Sequence, residues 1–121
     1  MVVRIQTEFS DAEIDRIFQA LADSTRRDIV RRVLQHEQSV SALAERYAMS
    51  FAAVQKHVAV LERASLVSKQ RRGREQLVHG NPDALRKAAE LLDRYGELWR
   101  HRITRIDGIL ADEFPTEPPK S

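Results

Sequence analysis

Two short amphipathic stretches with almost nothing between them constrain this chain more than any other feature. Ser39 precedes Val40, Leu43, Ala44 and Tyr47 at helical spacing, and Ser50 precedes Val54, Val58 and Leu61, again on one helix face. Each serine can accept a hydrogen bond from the unpaired amides of a first turn, so each marks a helix start. Only the turn Ala48-Met49 separates the second start from the first stretch. Helices this short, with so brief a connection, cannot lie flat against each other. They must cross steeply, as in a helix-turn-helix.

The flanking segments supply the rest of a core. Ser10 and Glu13 form an S-x-x-E capping box, with Phe9 and Ile14 as its hydrophobic staple. Ile14, Ile17, Phe18 and Leu21 then share one face. Asp23 caps a second helix that buries Ile29, Val30, Val33 and Leu34 and ends around His36. Residues 66–70 and 75–79 read as strands around Arg71-Arg72-Gly73-Arg74, where Gly73 gives a tight hairpin its backbone freedom. Asn81-Pro82-Asp83 opens the last helix. Along it Leu85, Ala88, Leu92, Tyr95, Trp99, Ile103, Ile106 and Leu110 recur at spacings of 3, 4, 3, 4, 4, 3 and 4, close to a heptad seam. The expected fold is mainly α with a small β-hairpin, in the order α-α-α-α-β-β-α: a dimeric winged helix-turn-helix. Residues 1–114 are expected to form a single domain with a long C-terminal dimerisation helix, and 115–121 a disordered tail rich in proline.

Composition narrows the function classes. The 121 residues suit one domain, and 42% hydrophobic with 31% charged residues is globular composition. The absence of cysteine excludes a disulfide framework, a thiolate zinc site, a cysteine nucleophile and thiol redox sensing. No stretch approaches the roughly 18 apolar residues of a membrane span, so the expectation is a cytoplasmic protein without a membrane partner. No nucleophile elbow, phosphate-binding glycine loop or HExxH motif organises the serines, histidines and acids, so neither catalytic residues nor a cofactor are expected.

A net charge of +2 says little, and the argument for a nucleic-acid partner rests on where the cations lie. Arg63, Lys69, Arg71, Arg72 and Arg74 follow one another with no acid among them, the last four on the hairpin. There they can track phosphates or enter a minor groove, and the counterions they release make binding salt-dependent. A recognition helix fits the major groove and presents its outward N-terminal side chains, here Phe51, Ala52, Ala53, Gln55 and Lys56, to base edges. Ser50 and the helix N-terminus can meet a phosphate. Gln55 suits adenine, Lys56 a phosphate or guanine, and the alanines or Phe51 a thymine methyl. Phe51 serves equally as a core residue closing the turn. His57, beside Val58, reads as structural or phosphate-bonding rather than base-specific. A basic face can also be merely solvated, so the competing reading is a winged-helix protein-interaction module without specific DNA readout.

Ala20-Leu21-Ala22-Asp23-Ser24-Thr25-Arg26-Arg27 resembles the A-L-A-D-P-T-R-R entry of ArsR/SmtB-type winged-helix regulators, and the stretch from Met49 to Glu62 resembles their recognition helix. Gly73-Arg74, Asn81-Pro82 and the Trp99-centred last helix extend the likeness over roughly residues 11–112. The resemblance implies a homodimer joined through its first and last helices, Ile14 and Ile17 with Leu92, Tyr95, Trp99, Ile103, Ile106 and Leu110, that binds a palindromic operator in double-stranded DNA and represses transcription. The Met-Ser-Phe start and the tryptophan look more like the subgroup found beside lipid-transfer-like proteins than like the metal sensors. Gln55 and Phe51 depart from the family's usual Ser and Gln, so base preference does not carry over. Ser65 replaces a common Gly, which implies mild strain at the helix end.

The metal-sensing relatives use a thiolate cluster or ligands on the last helix; residues 40–44 hold no thiol. Asp93, Glu97 and His101 share one face at i, i+4 and i+8, a geometry a metal can use. Glu90, Asp93, Arg94, Glu97, Arg100 and His101 also make a solvated face of i,i+3 and i,i+4 charge pairs, and that is the preferred reading. No metal is expected, and no effector is legible.

Overall fold

A computed structural model describes residues 10–113, with side chains as far as residue 110. Phe9, the staple partner, and the tail 115–121 lie outside the described residues. The chain divides into two compact units, residues 1–88 and 89–121.

In the first unit, α1 (Asp11–Ala20) starts on the expected capping box: the Glu13 amide donates to Ser10 Oγ at 3.2 Å, and the Ser10 amide to Glu13 Oε1 at 2.7 Å. α2 (Ser24–Gln35) is capped by Asp23, α3 (Val40–Ala44) by Ser39 and α4 (Phe51–Arg63) by Ser50. The wing consists of β2 (Val67–Arg72) and β3 (Glu75–Gly80). Ile29, Leu43, Val54, Val58, Leu61, Leu66 and Val78 are fully buried, so α2, α3 and α4 close their core on the base of the wing. Each such side chain is worth roughly 1.5–3 kcal/mol relative to exposure. α5 (Pro82–Glu113) starts at Asn81, whose side chain accepts from the Asp83 amide.

The sheet has a third strand. β1 (Gln38–Ser39) pairs antiparallel with β3, Gln38 opposite Val78 and Ser39 opposite Leu77, giving the order β1-β3-β2. Two residues are too few to show alternation, so the sequence pattern cannot reveal it. β2 also runs on through Arg71 and Arg72, which leaves Gly73-Arg74 as the turn. Gly73 has φ 65° at the first turn position, where a type II′ hairpin requires glycine.

Several apolar assignments shift. Leu34, expected in the core, is 41% exposed. It lies over Gly80 instead, where an added Cβ would come within 2.7 Å of Leu34 Cδ2 and 3.0 Å of its Cα. Phe18 is exposed, whereas Ile17, expected at a dimer interface, is 3% exposed and belongs to the chain's own core. The inner face of α1 therefore follows Ile17 and Ala20, flanked by the half-buried Ile14 and Leu21.

α4 ends in a Schellman motif, with the Ser65 amide donating to Glu62 O at 2.9 Å and the Leu66 amide to Leu61 O at 3.0 Å. The motif demands a left-handed residue, and Ser65 supplies it at φ 60°, as the missing glycine implied. Ser65→Gly is expected to raise stability by about 1 kcal/mol, seen as a higher urea midpoint at unchanged slope. A lower midpoint would mean that the serine side chain contributes more than its backbone conformation costs.

Candidate nucleic-acid interface

The recognition helix α4 is anchored from beneath by two charged clusters on α2. Arg26 Nε donates to Ala20 O at 2.7 Å and its Nη2 to Gln19 O at 3.1 Å, while Arg27 Nη1 donates to Leu21 O at 2.7 Å. These guanidiniums satisfy the Ala20 and Leu21 carbonyls at the end of α1 and add a further donor to Gln19 O, which also accepts from the Ala22 amide. Asp23 caps α2, and its carboxyl is held below the usual range chiefly by the Arg26 amide. Arg26 Nη1 also lies 3.3 Å from His57 Nδ1 on α4. A guanidinium can only donate, so Nδ1 accepts and the ring carries its proton on Nε2. His57 is thereby tied to α2.

The second cluster holds the turn before α4. Asp28 accepts from Arg31 Nη2 at 2.7 Å, Arg32 Nε at 2.8 Å and the Tyr47 hydroxyl at 2.6 Å, and the Arg32 guanidinium lies 6.0 Å from the Tyr47 ring centre. The Tyr47 hydroxyl, then Arg31 and Arg32, drive the Asp28 carboxyl far below its ordinary value. Burial, and then Asp28 itself, push the tyrosine hydroxyl up.

Held this way, α4 exposes Phe51, Ala52, Gln55 and Lys56, half-buries Ala53 and His57, and commits the Ser50 hydroxyl to the Ala53 amide at 3.1 Å. Phe51 is 47% exposed, so it does not close the core. The wing returns beside this face. Phe51 and Gln55 share with Lys69, Arg71 and Arg74 a hollow of about 370 Å³, which Ser41 of α3 also lines. A helix carrying one amide and one apolar ring thus stands next to a cationic hairpin, the pairing that base readout and phosphate contact require.

No protein-family model matches the chain. The HTH-type transcriptional regulator Rv2034 of Mycobacterium tuberculosis is 37% identical over 99 residues, which span 82% of this chain and 90% of that protein. An ArsR-like transcriptional regulator from Rhodococcus sp. RHA1 is 36% identical, with a TM-score of 0.70 over 81% of this chain and 92% of its own. The chain belongs to the ArsR family. It is a DNA-binding transcription regulator. The homodimeric winged helix-turn-helix DNA-binding domain Mb0332 of Mycobacterium bovis shares the fold at 24% identity and a TM-score of 0.59, over 78% of this chain and 94% of its own.

Within this ArsR-family chain the wing is less uniformly basic in space than in sequence. Glu62 of α4 lies 3.4 Å from Lys69, and Glu37, just before β1, lies 3.5 Å from Arg72 and 3.0 Å from His79 Nδ1. Arg71 and Arg74 carry no ion pair among the described residues. Neither acid was visible as a wing residue, because the fold rather than the chain order brings them there; Ser41 was missed for the same reason. In the second unit, Asp93, Glu97 and His101 are exposed on α5, and no group of three such residues placed to hold a metal occurs among the described residues. No described helix is long and apolar enough to cross a membrane.

Because the Asp28 carboxyl titrates lower in the folded chain than its unfolded value of about 3.9, it adds stability above that pH. The contribution is lost as pH falls into the acid range. Asp28→Asn is expected to cost about 1–2 kcal/mol at pH 7, with the gap to the parent closing below about pH 4. Urea unfolding between pH 7 and 3 checks this, and a gap independent of pH would contradict the charged cluster.

Proposed function

We propose that this chain is a homodimeric repressor that occupies a palindromic operator through two recognition helices and two wings. The observation that carries the reading is the hollow in which Phe51 and Gln55 of α4 meet Arg71 and Arg74 of the wing. In it Gln55 and Phe51, with Ala52, Ala53 and Lys56, take the major-groove edges. Ser50, Lys69, Arg71, Arg72 and Arg74 take phosphates, and His57 positions the helix. Nothing in this role calls for a cofactor or a catalytic residue, and its place is the cytoplasm.

The dimer reading rests on the second unit and on the likeness to the homodimeric domain from Mycobacterium bovis. Leu92, Tyr95, Trp99, Ile103, Ile106 and Leu110 are all exposed along α5, Trp99 at 58%. A continuous apolar stripe of this kind is what a seam between two helices requires. On α1, Phe18 is exposed and Ile14 half-buried, so these two rather than the buried Ile17 are the side chains of that helix open to a second copy. Two-fold symmetry of the protein demands two-fold symmetry of the site, with half-sites about one helical turn of DNA apart or a multiple of it.

Selection of bound genomic fragments at about 100 mM salt, where non-specific binding is weak, is expected to return a palindrome. Replacing Arg71 and Arg74 with Ala is expected to weaken binding to every sequence and to flatten the salt dependence by about one phosphate equivalent per arginine. Gln55→Ala is expected to relax preference at particular positions by about 1–3 kcal/mol. A chain that retains no fragment, or ignores these substitutions, would be a protein-interaction module instead.

Trp99→Ala is expected to cost the dimer about 3–5 kcal/mol and to yield monomers at concentrations where the parent sediments as a dimer. An unchanged dimer would place the interface elsewhere.

A further inference from the structure

The exposed ring of Phe51 is unexplained by the fold. It is 47% exposed, it is not the cap of α4, which is Ser50, and it lies outside the core cluster. It stands in a hollow whose other lining, apart from the buried Val40, is hydrogen-bonding or charged: Gln55 on its own helix, Ser41 on α3, and Lys69, Arg71, Arg74, Glu75 and Gln76 on the wing. One exposed apolar ring in such a wall is too small a patch for a protein partner. It matches a small apolar group presented among acceptors and phosphates.

The major groove offers one such group, the C5 methyl of thymine. Resting on the reading above that α4 lies in that groove, we propose that Phe51 is a specificity-determining residue that selects thymine through its methyl group, while Gln55 selects adenine through its paired donor and acceptor. Phe51 and Gln55 lie four residues apart, one turn along the same side of α4. That spacing is about 6 Å of helix rise, or about two base pairs at 3.4 Å each. Each half-site therefore carries a thymine and an adenine contact about two base pairs apart, and Arg71 and Arg74 on the wing side engage the flanking backbone. Cytosine lacks the methyl, and an adenine or guanine at that position offers only polar edges to the ring.

The test uses the full chain and the palindromic fragment recovered by selection, with each thymine replaced in turn by uracil. Uracil keeps every hydrogen-bonding group of thymine and lacks only the methyl. One symmetric pair of positions is expected to lose about fourfold in affinity per half-site, the contribution of one buried methyl group. 5-Methylcytosine paired with guanine is expected to be preferred there over cytosine, because the methyl returns. In Phe51→Ala, thymine and uracil are expected to bind equally, and a cooperative urea transition like that of the parent shows that the variant is folded. Binding that ignores uracil at every position overturns the proposal and leaves the operator reading intact. So does a Phe51→Ala chain that keeps the thymine preference. Failure of the parent chain to retain any fragment overturns both.

Discussion

The guanidinium of Arg26 distributes its donors over three helices: to the last carbonyls of α1, into the capping region of α2 where Asp23 lies 4.0 Å away, and to His57 on α4. Hydrogen bonds from a charged donor of this kind are worth roughly 1.5–3 kcal/mol each. The geometry matters more than the sum, because the Ala20 carbonyl and the His57 ring nitrogen would need other partners if the side chain were shortened. Asp28 plays the complementary part, gathering two arginines and a tyrosine so that the turn leading into α4 is held to α2. The buried Val54, Val58 and Leu61 decide which face of α4 is exposed, and these two residues add polar ties from α2 to His57 and to the turn before the helix.

Capping residues were the most legible part of the fold. Ser10, Asp23, Ser39 and Ser50 each start a helix where sequence spacing places them, since a cap is a local event between a side chain and amides three residues on. Rotation about a helix axis was less legible. Phe18 and Leu34 fit the apolar period but face out, because an α-helix admits an apolar stripe wide enough that its edges are decided by what packs against it. β1 escaped notice because its two residues draw their identity wholly from β3. At the interface, the residue types on α4 and the wing were readable from position alone. The exposure of Phe51, the inward tie of His57 and the acids beside Lys69 and Arg72 required the tertiary fold.

Those acids alter the electrostatic reading of the wing. Lys69 and Arg72 already have carboxylates within 4 Å, so a phosphate must compete for them, whereas Arg71 and Arg74 are exposed and have no such ion pair among the described residues. Exposed pairs of this kind hold by less than about 1 kcal/mol, which leaves them exchangeable. Four cations on one hairpin are therefore not four equivalent contacts.

Ser39 belongs to two structures at once, ending the strand that pairs with Leu77 and capping α3 with its hydroxyl. The base of the wing is thus fastened to the first helix of the DNA-reading pair, and only the two-residue turn Gly73-Arg74 lies beyond the ladder. A surface assembled in advance surrenders little conformational entropy when it meets its target. For this hairpin the backbone is ordered beforehand, so the cost of ordering falls on the arginine side chains, roughly 0.5–1.5 kcal/mol for each one immobilised, rather than on a loop.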